Sequence, residues 1–169
     1  KVKNKSWAIR NRDNLKIALN AISTLNQVYY SHTNIIDDDN TDPVVQTSLI
    51  NQRKSNVLRE FDALSYALKT TSGLSRNDRK FYFEPINGNY IPIYYDGMST
   101  ILDDTANIVV KLPKSFEKSL DSIRTKLYKI EFAKFQKKLA NNGLELSIYD
   151  LKKLINNIIF NIEILKNTT

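Results

Sequence analysis

Residues 77–97 read Asn-Asp-Arg-Lys-Phe-Tyr-Phe-Glu-Pro-Ile-Asn-Gly-Asn-Tyr-Ile-Pro-Ile-Tyr-Tyr-Asp-Gly. An amide and a carboxylate, Asn77 and Asp78, stand at the entrance of this stretch, and Asp96-Gly97 stands at its exit. The intervening residues have the make-up of a tight β-hairpin. Lys80 to Phe83 is an aromatic strand, Asn87-Gly88 favours a type I′ turn because both residues tolerate positive φ, and a return strand follows. Pro92 lacks a backbone N–H, which makes the return strand an edge or irregular at that point. A hairpin of this length brings its two ends together, and carboxylate oxygens meeting there can hold a hard divalent cation. The plainer reading is structural: Tyr-Asp-Gly serves as an exit turn whose Asp accepts backbone hydrogen bonds, and Asn77-Asp78 caps a loop.

The rest of the sequence must supply the scaffold. At 169 residues the chain fits one domain or one lobe of a larger one. A chain of that size buries roughly 70% of its unfolded surface without staples. It begins at Lys1 without an initiating Met, and it reads as a piece of a longer chain. Hydrophobic residues make up 41% and charged residues 25%, as in an ordinary globular protein, with no apolar run long enough to span a membrane. Cysteine is absent, which excludes disulfides, thiol nucleophiles and Cys-ligated zinc and is compatible with the cytoplasm. With only His32, His-rich metal sites are excluded and a Ser-His-Asp triad is disfavoured. His32 itself reads as a helix-end or surface residue. The net charge of +7 suits an anionic partner, although a lysine- and asparagine-rich coding bias gives the same charge.

Hydrophobic periodicity predicts a mainly α fold (α+β class) with about four long helices and one central β-hairpin. The first helix starts near Asp13 or Asn14, either of which can cap it, and carries Leu15, Ala18, Leu19, Ile22, Leu25 and Tyr29 at helical spacing. A polar segment from Ser31 to Pro43 ends it. A second helix is expected over about 44–71, with Gly73 in the left-handed position that closes a helix. Residues 98–113 are weakly patterned, with Ile108 to Val110 as a short strand or packed loop. A third helix is expected over about 116–140, with Phe116, Leu120, Ile123, Leu127, Ile130 and Leu139 on its buried stripe and Gly143 at its end. The fourth has the clearest start: Ser147 and Asp150 form an S-x-x-D capping box, Leu146 and Leu151 can staple it, and an apolar face runs from Leu151 to Leu165.

The order helix, polar loop, hairpin, Asp-Gly, long loop, helices resembles the C-lobe of a protein kinase. The words Asn77-Asp78, Lys80-Phe81-Tyr82-Phe83 and Pro92-Ile93-Tyr94-Tyr95-Asp96-Gly97 are similar to those of the CotH-type atypical kinases, over about residues 61–98. The resemblance implies a lobe that binds Mg²⁺ and ATP for phosphoryl transfer. By the same resemblance Asp96 would be the metal-binding carboxylate at the hairpin exit, and Asn77 or Asp78 the metal-binding residue at the entrance. Within that reading Asp78 and Asp96 are assigned to the metal and Asn77 and Arg79 to the nucleotide. The family's catalytic Asp precedes the entrance pair, whereas residues 69–76 contain no acid. Asp62, read as lying on the second helix, is the nearest candidate for that role; otherwise another segment supplies the acid, or the chain resembles a pseudokinase. The implied partners are the nucleotide, an unidentified phosphate acceptor and an N-lobe upstream carrying the Gly-rich loop and phosphate-binding Lys.

Three further features have other readings. Asp37 and Asp39 fit the first two positions of a Ca²⁺ loop, but Asp42 and Ser48 stand where Gly and a bidentate Glu belong, so a solvated loop is the better description. Lys111, Lys114, Lys118, Arg124, Lys126, Lys129, Lys134, Lys137 and Lys138, interleaved with Tyr128, Phe132 and Phe135, suit an anionic partner or single-stranded nucleic acid. The same residues also suit an ordinary helix with solvated lysines and a core-facing aromatic stripe, and the chain as a whole then reads as a non-catalytic helical interaction module. Asn4-Lys5-Ser6 and Asn167-Thr168-Thr169 match glycosylation sequons, as expected by chance in an Asn-rich chain.

Overall fold

The computed structural model describes residues 4–33, 57–74, 78–95, 101 and 112–167. Outside them lie the acidic loop at 37–42, the first part of the expected second helix (44–56), the weakly patterned residues 102–110, Lys111, and the site candidates Asn77 and Asp96. The described residues form a mainly α protein with one two-stranded antiparallel hairpin. None of their helices is long and apolar enough to cross a membrane. The chain divides into two compact units, Lys1–Leu58 with Arg79–Tyr94 and Arg59–Asp78 with Tyr95–Thr169.

The first unit holds α1 (Lys5–Ala8), α2 (Arg12–Thr33) and the hairpin, β1 (Lys80–Glu84) and β2 (Asn89–Ile93). Asparagines start both helices. The Asn4 side chain accepts from the Trp7 N–H at 3.1 Å, and the Asn11 side chain accepts from the Asn14 N–H at 2.9 Å. Asn11 thus takes the capping role expected of Asp13 or Asn14. Asp13 sits in the first turn, where its charge suits the helix dipole. Asn14 instead ties the helices together, its amide donating to the Trp7 carbonyl at 2.9 Å. The expected α2 stripe is used in part: Ala18 is buried and Ile22 and Leu25 are half-buried, while Leu15 and Leu19 are exposed.

The second unit is helical. It contains the larger part of α3 (Val57–Ala67), then α4 (Glu117–Tyr128), α5 (Phe132–Ala140) and α6 (Ile148–Asn167). Short 3₁₀ turns at Thr71–Leu74 and Lys114–Phe116 precede the hairpin and α4. Leu112, Phe116, Leu120 and Ile123 are buried with Leu151, Ile155, Ile158, Ile162 and Leu165 of α6 and Ala63, Tyr66 and Ala67 of α3. The capping box forms as expected: Ser147 Oγ accepts from the Asp150 N–H at 3.0 Å and donates to the Asp150 carboxylate at 2.6 Å.

The third helix is not continuous. It breaks at residues 129–131, where Lys129 ends α4 and Glu131, in extended conformation, precedes α5. A phase slip in the apolar stripe explains the break. At 100° per residue, Phe132, Phe135 and Leu139 of an unbroken helix point roughly 130° away from Phe116, Leu120, Ile123 and Leu127. Interrupting the helix once lets both stripes face α6. The two halves then run antiparallel to α6 in one register: Asp121 meets Lys166, Arg124 meets Glu163, and Phe132 lies beside Lys152.

Two helices end in the same Schellman geometry. After α5, the Gly143 N–H donates to Ala140 and the Leu144 N–H to Leu139, with Gly143 at φ +82°. After α3, the Lys69 N–H donates to Tyr66 and the Thr70 N–H to Ser65, with Lys69 at φ +55°. Lys69, not Gly73, therefore occupies the left-handed closing position of the second helix.

A non-glycine residue in that conformation costs about 1–2 kcal/mol. Two substitutions in one motif should accordingly have opposite signs. Lys69→Gly is expected to raise stability by about 0.5–1 kcal/mol and Gly143→Ala to lower it by about 1 kcal/mol, read as shifts in urea midpoint at constant slope.

Ion pairs link α3, α4 and α6. Lys126 donates to Glu60 at 2.6 Å, Arg124 to Glu163 at 2.6 Å and Lys166 to Asp121 at 2.7 Å. Burial alone would raise the Glu60 carboxyl. Hydrogen bonds from Lys126 and Ser122 and the Lys126 charge outweigh it and hold the group below its ordinary 4.5. The Lys166 ammonium does the same for Asp121, against a small effect of burial, with further help from Arg124. Both carboxyls bind protons less tightly when folded. Their contribution is present above about pH 4.5 and is lost as pH falls through and below that value. Lys126→Met should flatten this acid-side decline in denaturation midpoints measured between about pH 6 and pH 3.

Candidate functional site

The hairpin is built from one aromatic face. Its ladder pairs Lys80 with Ile93, Phe81 with Pro92, Tyr82 with Ile91, Phe83 with Tyr90 and Glu84 with Asn89. Period-two alternation then places Phe81, Phe83, Tyr90 and Pro92 on one side. Tyr90 is the buried member. Phe81 meets its ring edge-on at 6.0 Å, Phe83 lies tilted to it at 5.0 Å, and the Tyr90 hydroxyl donates to the Ala21 carbonyl of α2 at 2.6 Å. Burial pushes the Tyr90 phenol above its ordinary value, offset in part by a hydrogen bond with Thr24. On the other side Tyr82, Ile91 and Ile93 are exposed.

The turn differs from the expected two-residue type. Four residues, 85–88, separate the paired Glu84 and Asn89, and only Gly88 has positive φ, at +67°. Asn87 is not left-handed. Its amide donates to the Glu84 carboxylate at 2.9 Å, which closes the wider loop. The Asn-Gly pair thus marks where the chain turns, but the longer loop needs only one left-handed residue. Pro92 lies on an edge strand, as both strands of a two-stranded sheet are edges.

The site candidates sit differently. Asp78 and Arg79 are half-buried at the open end of the ladder, immediately before Lys80. The Arg79 guanidinium lies 6.0 Å from the Phe81 ring centroid, within cation–π range. Tyr94 and Tyr95 are exposed beyond Ile93. Asp62 lies on α3 with 0% exposure, beside Ala63 and one turn before Tyr66, so its carboxylate is closed off from solvent. Asn77 and Asp96 are outside the described residues. Among the described residues, no three His, Cys, Asp or Glu side chains gather as a metal cluster.

Within the second unit, α6 holds the end of α3. The Asn161 amide, buried at 5% exposure, donates to the Ala67 carbonyl in the last turn of α3 at 2.8 Å. One turn earlier, Asn157 donates to the Ile101 carbonyl at 3.4 Å. Helix ends leave carbonyls without intrahelical partners, and a buried one needs a donor. The readable signal was a polar residue inside the apolar stripe of α6, between Ile158 and Ile162.

The lysine-rich helix pair also resolves into parts. Lys126 and Arg124 are committed to Glu60 and Glu163. Phe132 and Phe135 are half-buried on the α6-facing side of α5 and are not displayed beside the lysines. Tyr128 is exposed. Lys129, Lys134, Lys137 and Lys138 are exposed and, among the described residues, pair with no carboxylate.

No protein-family model, curated protein or solved structure matches this chain.

Asn161→Ala leaves the Ala67 carbonyl buried without its donor, so a loss of about 1–3 kcal/mol is expected in urea denaturation. Val57→Ala, an exposed change on the same helix α3, should fall within about 0.5 kcal/mol of the parent.

Proposed function

We propose that the hairpin segment binds a metal–nucleotide complex in the manner of a CotH-like kinase C-lobe. The observation that carries this reading is the ladder register. Lys80 opposite Ile93 makes the open end of the hairpin the place where Asp78-Arg79 enters and Tyr94-Tyr95 leaves toward Asp96. Asp78 and Asp96 offer the hard oxygen donors that Mg²⁺ takes while it keeps several waters and phosphate oxygens. When bound, the ion neutralises charge on the phosphates during phosphoryl transfer. Arg79, with Asn77, supplies cationic and amide contacts to the nucleotide, and the Phe81 ring restrains the guanidinium. The phosphate acceptor and an N-lobe are the further partners this reading calls for. Because Asp62 is closed from solvent, no general base is assigned to it in this arrangement.

A second reading, an anionic partner on the lysine-rich helix, is favoured by Lys134, Lys137 and Lys138 of α5, which pair with no carboxylate among the described residues. It is independent of the hairpin.

Mn²⁺ binding in the presence of ATP, followed by electron paramagnetic resonance, tests the first reading. Asp96→Asn should weaken it at least about tenfold, and Asp78→Asn should do so to a smaller degree, since the CotH-type kinases themselves carry Asn at the entrance and a carboxylate at the exit. Equal binding by parent and Asp96→Asn removes the hairpin from nucleotide chemistry.

A further inference from the structure

Charge is segregated along the α4–α5/α6 helix pair. At the end formed by α4 and the C-terminal half of α6, three of the cations are matched: Arg124 to Asp121 and Glu163, Lys126 to Glu60, and Lys166 to Asp121, while Lys118 is exposed. At the other end α5, Phe-Ala-Lys-Phe-Gln-Lys-Lys-Leu-Ala, contains no acid. Its Lys134, Lys137 and Lys138 fall within about 100° of one another on the helix wheel, opposite Phe132, Phe135 and Leu139. Their Cβ atoms lie about 5–6 Å apart at i, i+3 and i+4 spacing. All three are exposed, as are Lys129 before them and Lys152 and Lys153 in the facing part of α6.

Two observations narrow the partner. The apolar side of α5 is packed on α6, so the helix has no face to bury in a bilayer and offers a membrane only charge. An exposed ring follows, two residues along the chain, a cleft that Lys137 lines. Gln136 donates to the Leu146 carbonyl at 2.7 Å, which fixes the α5–α6 connection against α5. A shallow cleft of about 440 Å³ there is lined by Lys137, Gln136, Glu145 and Ser147, among others. Tyr149, two residues beyond Ser147, is 77% exposed in the first turn of α6. A row of cations and an exposed ring carried on the same helix pair supply the two kinds of group that hold a flexible phosphate backbone while a base stacks.

We infer that the outer face of α5, with Tyr149, binds single-stranded nucleic acid without sequence preference. The inference rests on the anionic-partner reading and gives it a ligand class. Lys134, Lys137 and Lys138 contact backbone phosphates, Lys129 extends the track, and Tyr149 stacks on one base.

Anisotropy of a labelled oligothymidylate, titrated with protein over a range of salt, tests it, with heparin and phosphatidylserine vesicles as companion probes. About four phosphate contacts give a log–log salt slope near −3. Lys134→Gln/Lys137→Gln/Lys138→Gln should lower affinity at low salt at least about tenfold and bring the slope toward −1. The corresponding triple arginine variant should retain binding, and circular dichroism should match the parent because all three side chains are exposed. Tyr149→Ala should cost roughly fivefold or more without changing the slope. If heparin binds through these lysines and the oligonucleotide does not, the anionic reading stands and the nucleic-acid inference falls. Tighter lysine-dependent binding to the vesicles than to the oligonucleotide also overturns the inference. If none of the probes binds, both fail.

Discussion

The helical unit depends on α6 meeting three segments at once. Leu151, Ile155, Ile158, Ile162 and Leu165 are buried along it, and each such side chain stabilises the fold by about 1.5–3 kcal/mol. That term is large but non-directional. The hydrogen bond from Asn161 to the Ala67 carbonyl contributes only about 1 kcal/mol net, yet it is satisfied at one axial and rotational setting of α6 against α3. Apolar burial therefore drives the helices together, and the buried amide selects which turn of α6 faces the end of α3.

The break between α4 and α5 shows the same primacy of packing over local preference. No Gly or Pro lies at residues 129–131, and the helix-forming residues on both sides favour continuation. Propensity differences amount to tenths of a kcal/mol per residue, whereas Phe132, Phe135 and Leu139 directed at water would forfeit several. The phase of the apolar stripe was therefore the informative signal, and a count of apolar residues missed it. Elements with a stereochemical signature were legible directly. The S-x-x-D box marked the start of α6, and strand alternation with Asn-Gly marked the hairpin and the place of its turn. The closing residue of α3 was not legible, because a Schellman turn at a lysine has no compositional mark and Gly73 nearby drew the assignment.

The candidate site was legible in kind more than in arrangement. Entrance and exit polar groups flanking an aromatic hairpin can be read from residue types and period. Whether a carboxylate is solvent-facing depends on which side of a helix it occupies in the packed unit, and Asp62 illustrates this. On a helical wheel it shares a face with Leu58 and Ser65, both buried, so its closure was in principle available from the α3 pattern. The guanidinium of Arg79 beside Phe81 was not, since it depends on the course of the chain just before the ladder.

The charges on the second unit divide by the same physics. A cation held by a carboxylate on another helix, such as Lys126 on Glu60, is tied to the fold, and burial of Glu60 makes the pair matter more than a fully solvated one. The exposed lysines of α5 interact in high-dielectric solvent, where their contribution to folding is close to zero and their mutual repulsion is weak. Stability therefore gives no reason for a helix nine residues long to carry three lysines on one side and no acid anywhere. The unpaired end of the helix pair is also the part whose charges can change without disturbing the core, because the side chains that hold α5 in place lie on its opposite face. A surface role and the fold are consequently separable there, as they are not at Glu60, Asp121 and Glu163, where the same side chains that carry charge also join the helices.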